Sequence, residues 1–134
     1  LDDGLIIGKV YPEVQETIKK LSKKYNVCIV SNCSNDFYIE SFIKTAGVSE
    51  YIVDYVAASN FFISKAEAIR KIMKKYQAEK GIYVGDTLKD QVSAVDAGCT
   101  FVYANYGFGK DIVSKFSVKD LTQLPSLVSY IFEE

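Results

Sequence analysis

Gly81-Ile82-Tyr83-Val84-Gly85-Asp86-Thr87-Leu88-Lys89-Asp90 is the stretch from which the fold can be read. Its first half is a short apolar run rich in β-formers and reads as a buried strand. The run stops at Gly85, and carboxylates follow at Asp86 and Asp90. Beyond them an apolar-periodic segment through Val92, Ala94, Val95 and Ala97 predicts a helix, closed by Gly98 just past its end. Asp86 is therefore expected at the carboxyl end of a strand and Asp90 in the first helical turn. Open α/β sheets place their ligands at such positions, and two carboxylates four residues apart there suit a hard cation.

The same grammar extends to both sides. Upstream, Val27-Cys28-Ile29-Val30 is a second apolar run of strand length, ending in the polar turn Ser31-Asn32-Cys33-Ser34-Asn35. A helix is expected near Asp36 to Thr45, with Gly47 past its end. Before that strand, Pro12 suits a first helical position. Val14, Ile18 and Leu21 then predict an amphipathic helix to about Lys24. Ser49 to Val53 reads as one helical turn and Tyr55 to Ala58 as a modest strand. Ser64-Lys65-Ala66-Glu67 has the form of a capping box, so Lys65 should open a helix through Ile69, Ile72 and Met73. Downstream come a strand at Thr100 to Ala104, a glycine-punctuated loop from Asn105 to Gly109, a short strand near Lys115 to Val118, and a last helix from about Leu124 to Phe132. Strands alternating with helices predict an α/β fold, a Rossmann-like three-layer α/β/α sandwich on a mostly parallel sheet. No repeat, linker or low-complexity tract divides residues 1–134, so one domain is expected.

Bulk properties narrow the partners. A chain of 134 residues can bury a real core. With 49% apolar and 25% charged residues it has the composition of a soluble globular domain. A formal charge of −1 gives no electrostatic case for nucleic acid or an anionic membrane. No apolar run has the length of a bilayer span, and no signal-peptide pattern is recognisable. There is no histidine, which removes serine–histidine mechanisms and histidine-bound zinc. Cys28, Cys33 and Cys99 lack a Cys-x-x-Cys spacing, so free thiols in a reducing cytoplasm are expected, with Cys28 and Cys99 as small buried hydrophobes. The chain opens on a leucine rather than a methionine, which suggests a fragment or a processed product.

Ser31 with Asn32, Lys65, Asp86 with Asp90, and the loop from Asn105 to Gly109 all fall at carboxyl ends of expected strands or at helix starts. In a parallel sheet they would converge on one rim. Together they point to phosphate chemistry. Ser31 offers a hydroxyl, and the turn after it offers backbone N–H groups near a helix start. Lys65 offers a point charge, while Asp86 and Asp90 offer the oxygen ligands Mg²⁺ prefers. A cation and a lysine around one phosphoryl group would neutralise the charge that develops in transfer. Each feature also has an ordinary alternative: a simple turn, a solvated lysine, a helix cap with an exposed acid. Tyr103, Tyr106 and Phe108 could equally pack under the loop.

The order of these pieces resembles a family. Val-Ser-Asn after an apolar strand, the lysine of Ser-Lys-Ala-Glu, and Tyr-Val-Gly-Asp-Thr-Leu-Lys-Asp look like the second, third and fourth motifs of the haloacid dehalogenase-like hydrolases. Pro12-Glu13-Val14 and Tyr103 to Gly109 are similar to the phosphoglycolate phosphatase-like branch, and the resemblance covers roughly residues 10–110. It implies a magnesium-dependent phosphohydrolase acting on a small phosphorylated metabolite through an aspartyl-phosphate intermediate. By that carry-over Ser31 and the Asn32 amide hold phosphoryl oxygens, Lys65 stabilises the intermediate, and Asp86 and Asp90 hold or position Mg²⁺.

The family's first motif, Asp-x-Asp-Gly-Thr behind an apolar strand, is not intact here. Leu1-Asp2-Asp3-Gly4-Leu5 echoes it, but Leu1 stands at the nucleophile's position. Residues 1–9 resemble instead the tail of a helical cap or a linker, with the nucleophilic strand expected upstream. In the family that strand lies between those at Val27–Val30 and Ile82–Val84. Its absence would leave ladder groups unpaired, so the chain should borrow a strand, for which Leu5 to Val10 is the candidate, or belong to a longer protein. Two other functions compete: phosphate or metal binding without catalysis, and a phospho-accepting receiver domain. The receiver order is acids, phospho-acceptor, hydroxyl, lysine; here the hydroxyl comes first and the acids last.

Overall fold

The computed structural model describes residues 4–7, 13–32, 36–61, 63–105 and 112–133. Among the described residues six strands and five α-helices follow one another: β1 (Gly4–Ile7), α1 (Val14–Ser22), β2 (Asn26–Ser31), α2 (Asp36–Ala46), β3 (Ile52–Ala57), α3 (Lys65–Lys75), β4 (Gly81–Gly85), α4 (Leu88–Asp96), β5 (Thr100–Ala104), β6 (Phe116–Val118) and α5 (Leu124–Glu133). Short 3₁₀ turns at Ala58–Phe61 and Leu121–Gln123 lead out of β3 and into α5.

All six strands are parallel and lie in the order β3-β2-β1-β4-β5-β6. The chain runs outward from β1 to β3, then crosses back through α3 to place β4 on the other side of β1. The direction of winding reverses between β1 and β4, and in open α/β sheets the crevice at the carboxyl ends beside that reversal is the binding position.

The central strands are buried along nearly their whole length, and successive side chains leave the sheet on opposite faces, so each strand feeds two cores. Val27, Ile29, Ile82, Val84, Val102 and Ala104 enter the core that also takes Val14, Ile18, Leu21, Ile39, Val128 and Ile131 from α1, α2 and α5. Cys28, Val30, Tyr83, Phe101 and Tyr103 enter the core on the other face, with Ala68, Ile69 and Ile72 of α3 and Ala94 of α4. The three expected layers are present. α2 and α4 are followed by Gly47 and Gly98 at positive φ, 69° and 80°, the left-handed conformation expected of a glycine past a helix end.

Several boundaries differ from the sequence reading. The helix expected from Pro12 begins at Val14; Pro12 itself lies outside the described residues, as does Cys33. Ser49–Val53 is not a helical turn throughout: β3 already begins at Ile52, and Ala58, expected in the strand, belongs to the 3₁₀ turn. Pairing with β2 extends the strand, from Val27↔Ile52 to Ser31↔Ala57, which local propensity could not reveal. Val92 and Val95, whose spacing helped to predict α4, are exposed; the helix turns Ala94 inward.

At the amino end the borrowed-strand alternative, for which Leu5 to Val10 is the candidate, is met by Gly4–Ile7, while the cap-tail reading of residues 1–9 is not met at Gly4–Ile7. Gly4–Ile7 is a strand rather than the end of a helix, and it fills the slot between β2 and β4. Ile6 is paired with Cys28 on one side and Tyr83 on the other. Four residues there give two long strands a shared partner and satisfy ladder groups that would otherwise be stranded in the middle of the sheet.

Candidate active site

β4 delivers Asp86. All five of its residues are buried, and the strand releases the chain at Gly85 so that Asp86 stands at the carboxyl end, 6% exposed. Gly85 is required by proximity: a Cβ there would lie 2.6 Å from the Cβ of Asp90 and 2.7 Å from its Oδ2. Thr87 caps α4. Its Oγ1 accepts the N–H of Asp90 at 3.1 Å, and the Asp90 carboxylate reaches back to the Thr87 N–H at 3.3 Å, a reciprocal capping box. The same Oδ2 accepts the Asp86 N–H at 3.2 Å. Asp90 thus holds the turn on which Asp86 is carried.

α3 delivers Lys65. Ser64 caps this helix, its Oγ accepting the Glu67 N–H at 3.1 Å, as the sequence predicts. From the first helical position Lys65 extends its ammonium to Asp90 Oδ1 at 2.8 Å, joining residues 25 apart in sequence. Both side chains are largely withdrawn from solvent. The ammonium also stands 5.7 Å from the centre of the Tyr83 ring, within cation–π range. The buried Tyr83 hydroxyl lies 3.5 Å from Asp90 Oδ1. Burial by itself raises the Asp90 pKa. The Lys65 hydrogen bond and charge, with donors from Thr87 and Asp86, outweigh it and hold the carboxyl below the usual carboxylate range. Burial, then the Asp90 charge and hydrogen bond, push the Tyr83 phenol far above its ordinary value, so it stays protonated as a donor.

β2 delivers Ser31. Cys28 and Tyr83 both stand level with Ile6, so Ser31 and Asp86, each three residues further on, stand level at the carboxyl rim on the two strands that flank β1. Two strand spacings separate them, about 9.6 Å. Asn32 follows, exposed, with its carbonyl accepting a short hydrogen bond from Ser59 Oγ. The structure therefore brings Lys65, Asp86 and Asp90 together directly and sets Ser31 and Asn32 across the β1 position from them. Of the expected loop, Asn105 is tied to the sheet through its N–H to the Val118 carbonyl at 2.8 Å; Tyr106 to Gly109 lie outside the described residues.

Of the two carboxylates expected to hold or position Mg²⁺, Asp90 is already engaged by protein donors. Both Asp90 oxygens accept donors, Oδ1 from Lys65 and Oδ2 from two backbone N–H groups. No group of three acidic or thiol residues able to hold a metal occurs among the described residues. Asp86, at the carboxyl end of β4, could hold a hard cation such as Mg²⁺, which takes one or two carboxylates with water and phosphate oxygens.

Thr87, Tyr83 and Gly85 stood in the quoted motif without a role at the site, and Ser59 was not singled out. Thr87-Leu88-Lys89-Asp90 did carry a readable signal, the hydroxyl-x-x-acid pattern of a helix start. Tyr83 and Gly85 act through contacts with Asp90 that only the folded turn creates. The two described thiols, Cys28 and Cys99, are buried in the core. Burial first, then the Asp54 charge, push Cys28 up to about 12, and burial pushes Cys99 up to about 11.

A strand–acid–helix turn at the switch point, with a lysine brought to it from the preceding crossover helix, gives this open α/β sheet a candidate binding crevice at its carboxyl ends. The family model described as "Haloacid dehalogenase-like hydrolase" matches residues 7–104, and the chain belongs to that family. A phosphoglycolate phosphatase of Vibrio vulnificus (strain CMCP6) is 28% identical over 135 residues, covering 93% of this chain and 59% of that protein. The chain thus spans under two thirds of that relative's length. Among solved structures, a predicted phosphoglycolate phosphatase from Haemophilus somnus superposes with a TM-score of 0.77 at 20% identity, over 90% of this chain and 57% of that one. The core domain of a Streptococcus pneumoniae TIGR4 protein, described as a phosphoglycolate phosphatase, gives a TM-score of 0.69 at 19% identity, over 98% of this chain and 93% of that one. At these identities the structural likenesses establish the fold alone.

Proposed function

We propose that this chain is the core of a phosphatase-type hydrolase that binds the phosphoryl group of a small monoester across the carboxyl ends of β2 and β4. The observation that carries the reading is the Lys65–Asp90 pair at 2.8 Å, which fixes a lysine beside Asp86 at the switch point of the sheet. In this reading Ser31 and the Asn32 N–H receive two phosphoryl oxygens, and Lys65 faces a third. Asp90 serves as a positioning residue that orients Lys65 and braces the Asp86 turn. Asp86 is the ligand for Mg²⁺, which when bound would screen phosphoryl charge. The family membership and the phosphoglycolate phosphatase relatives support this class of substrate.

A second reading is favoured by one specific observation. The centre of the sheet is occupied by β1, and the residues that follow it, Gly8-Lys9-Val10-Tyr11-Pro12, include no carboxylate. Asp2 and Asp3 precede the strand in sequence and lie outside the described residues. With β1 in place, the strand between Ser31 and Asp86 supplies no aspartate nucleophile, which suits a domain that binds phosphate without hydrolysing it. Hydrolysis of p-nitrophenyl phosphate and of phosphoglycolate with added Mg²⁺, beside calorimetric binding of inorganic phosphate, separates the two. Turnover that disappears in Lys65→Ala and Asp86→Asn supports the hydrolase. Phosphate binding without turnover supports the binder, and absence of both rejects the site.

A further inference from the structure

α3 and α4 lie side by side on one face of the sheet but present different surfaces to solvent. The outward residues of α3 are Glu67, Arg70, Lys71, Lys74 and Lys75, all charged. Those of α4 are Leu88, Lys89, Val92, Val95 and Asp96. Leu88, Val92 and Val95 are 63%, 60% and 67% exposed and fall at i, i+4 and i+7, so they form one stripe along the helix. Val113, 90% exposed, is held beside that stripe because Gln91 Nε2 donates to its carbonyl at 2.7 Å. Single exposed apolar residues need no explanation, but a contiguous row with a fourth member pinned to it marks a contact surface.

We propose that this face of α4 pairs with the same face of a second copy of the chain, antiparallel about a two-fold axis near Val92. The charges argue for this occupant. Lys89 and Asp96 flank the stripe seven residues apart, about 20° from each other around the helix, and therefore on one side of it. In an antiparallel helix pair the same flanks face each other. An axis between Val92 and Ser93 sets Lys89 of each copy opposite Asp96 of the other, giving two symmetry-related ion pairs around an apolar seam. The surface is self-complementary, as an isologous interface must be. Asp96 is exposed, and its only ion pair among the described residues is with Arg70 at 3.8 Å, so it can turn toward a partner. The apolar stripe is small, and the contact belongs to the transient class, with a dissociation constant on the order of 10⁻⁵–10⁻⁴ M.

Sedimentation and light scattering of the full chain across that range test the proposal. The expected result is a mass that climbs from monomer toward dimer with concentration. Val92→Glu should weaken association at least about tenfold, the effect of a charge at the centre of an apolar contact. Val92→Gln, a milder change at an exposed position, guards against misfolding and should weaken it too. Lys89→Glu and Asp96→Lys should each weaken it, and the double exchange Lys89→Glu with Asp96→Lys should restore it. A chain that stays monomeric up to about 1 mM, a dimer indifferent to both Val92 variants, or a charge exchange that fails to restore association overturns the proposal.

Discussion

Removing the Asp90 carboxylate withdraws an acceptor from Lys65, from the Asp86 and Thr87 N–H groups, and from the Tyr83 hydroxyl beside it. Asp90→Ala is expected to lose about 2 kcal/mol of stability, from the carboxylate half of the capping box and a mostly buried charged hydrogen bond. Chemical denaturation at pH 7 measures it. Asp90→Asn gives the pH signature. The folded-state pKa of Asp90 lies below its unfolded value, so the ionised carboxylate stabilises the fold above the unfolded value, about 3.9, and that stability is lost as pH falls through the folded value. The wild-type advantage over Asp90→Asn should be full at neutral pH and close progressively below about pH 4. An advantage unchanged down to pH 2 would contradict the Lys65–Asp90 pairing as its source. Gly85→Ala should be destabilised by about 1–3 kcal/mol, because its methyl must displace Asp90. If the chain hydrolyses phosphate esters, Asp86→Asn should abolish Mg²⁺-dependent turnover, and Lys65→Ala should lower it by a factor on the order of 10²–10³.

At the scale of elements, β1 is the test. A four-residue strand in the middle of a parallel sheet bonds on both sides, through Gly4–Ile6 to β2 and Gly4–Ile7 to β4. Ile6→Pro removes a ladder donor there and should unfold the chain or destabilise it by at least about 3 kcal/mol. Val53→Thr, on exposed edge strand β3, should change stability by less than about 0.5 kcal/mol. Circular dichroism melts of the two variants measure the contrast, and a silent Ile6→Pro would remove β1 from the sheet's centre. Elements with strong local signals were legible in advance. β4 and β5 match their expected spans because every residue of their apolar runs is buried or nearly so. The start of β3 was not legible, since Ile52 and Val53 become strand by pairing with β2 rather than by their own pattern. α4 shows the limit of periodicity: the apolar spacing located the helix, but of Val92, Ala94 and Val95 only Ala94 turns inward.

For the molecule as a whole, the order of chemical groups along the polymer was readable and their meeting was not. The amino-acid sequence by itself determined the alternation of strands and helices, the two-faced core, and the placement of Asp86 past a buried strand and of Lys65 at a helix start. Each of these follows from the periodicity and capping of a few neighbouring residues. Tertiary structure alone decided between the two accounts of the amino end, in favour of a strand in the slot between β2 and β4, and decided that Asp90 is a strut for Lys65 and the Asp86 turn rather than an open acid, and that Ser31 stands level with Asp86 across that slot. The reason is physical. Ladder pairing, charge pairing and the reversal of winding join residues distant in sequence, so their energies depend on which segments become neighbours in space.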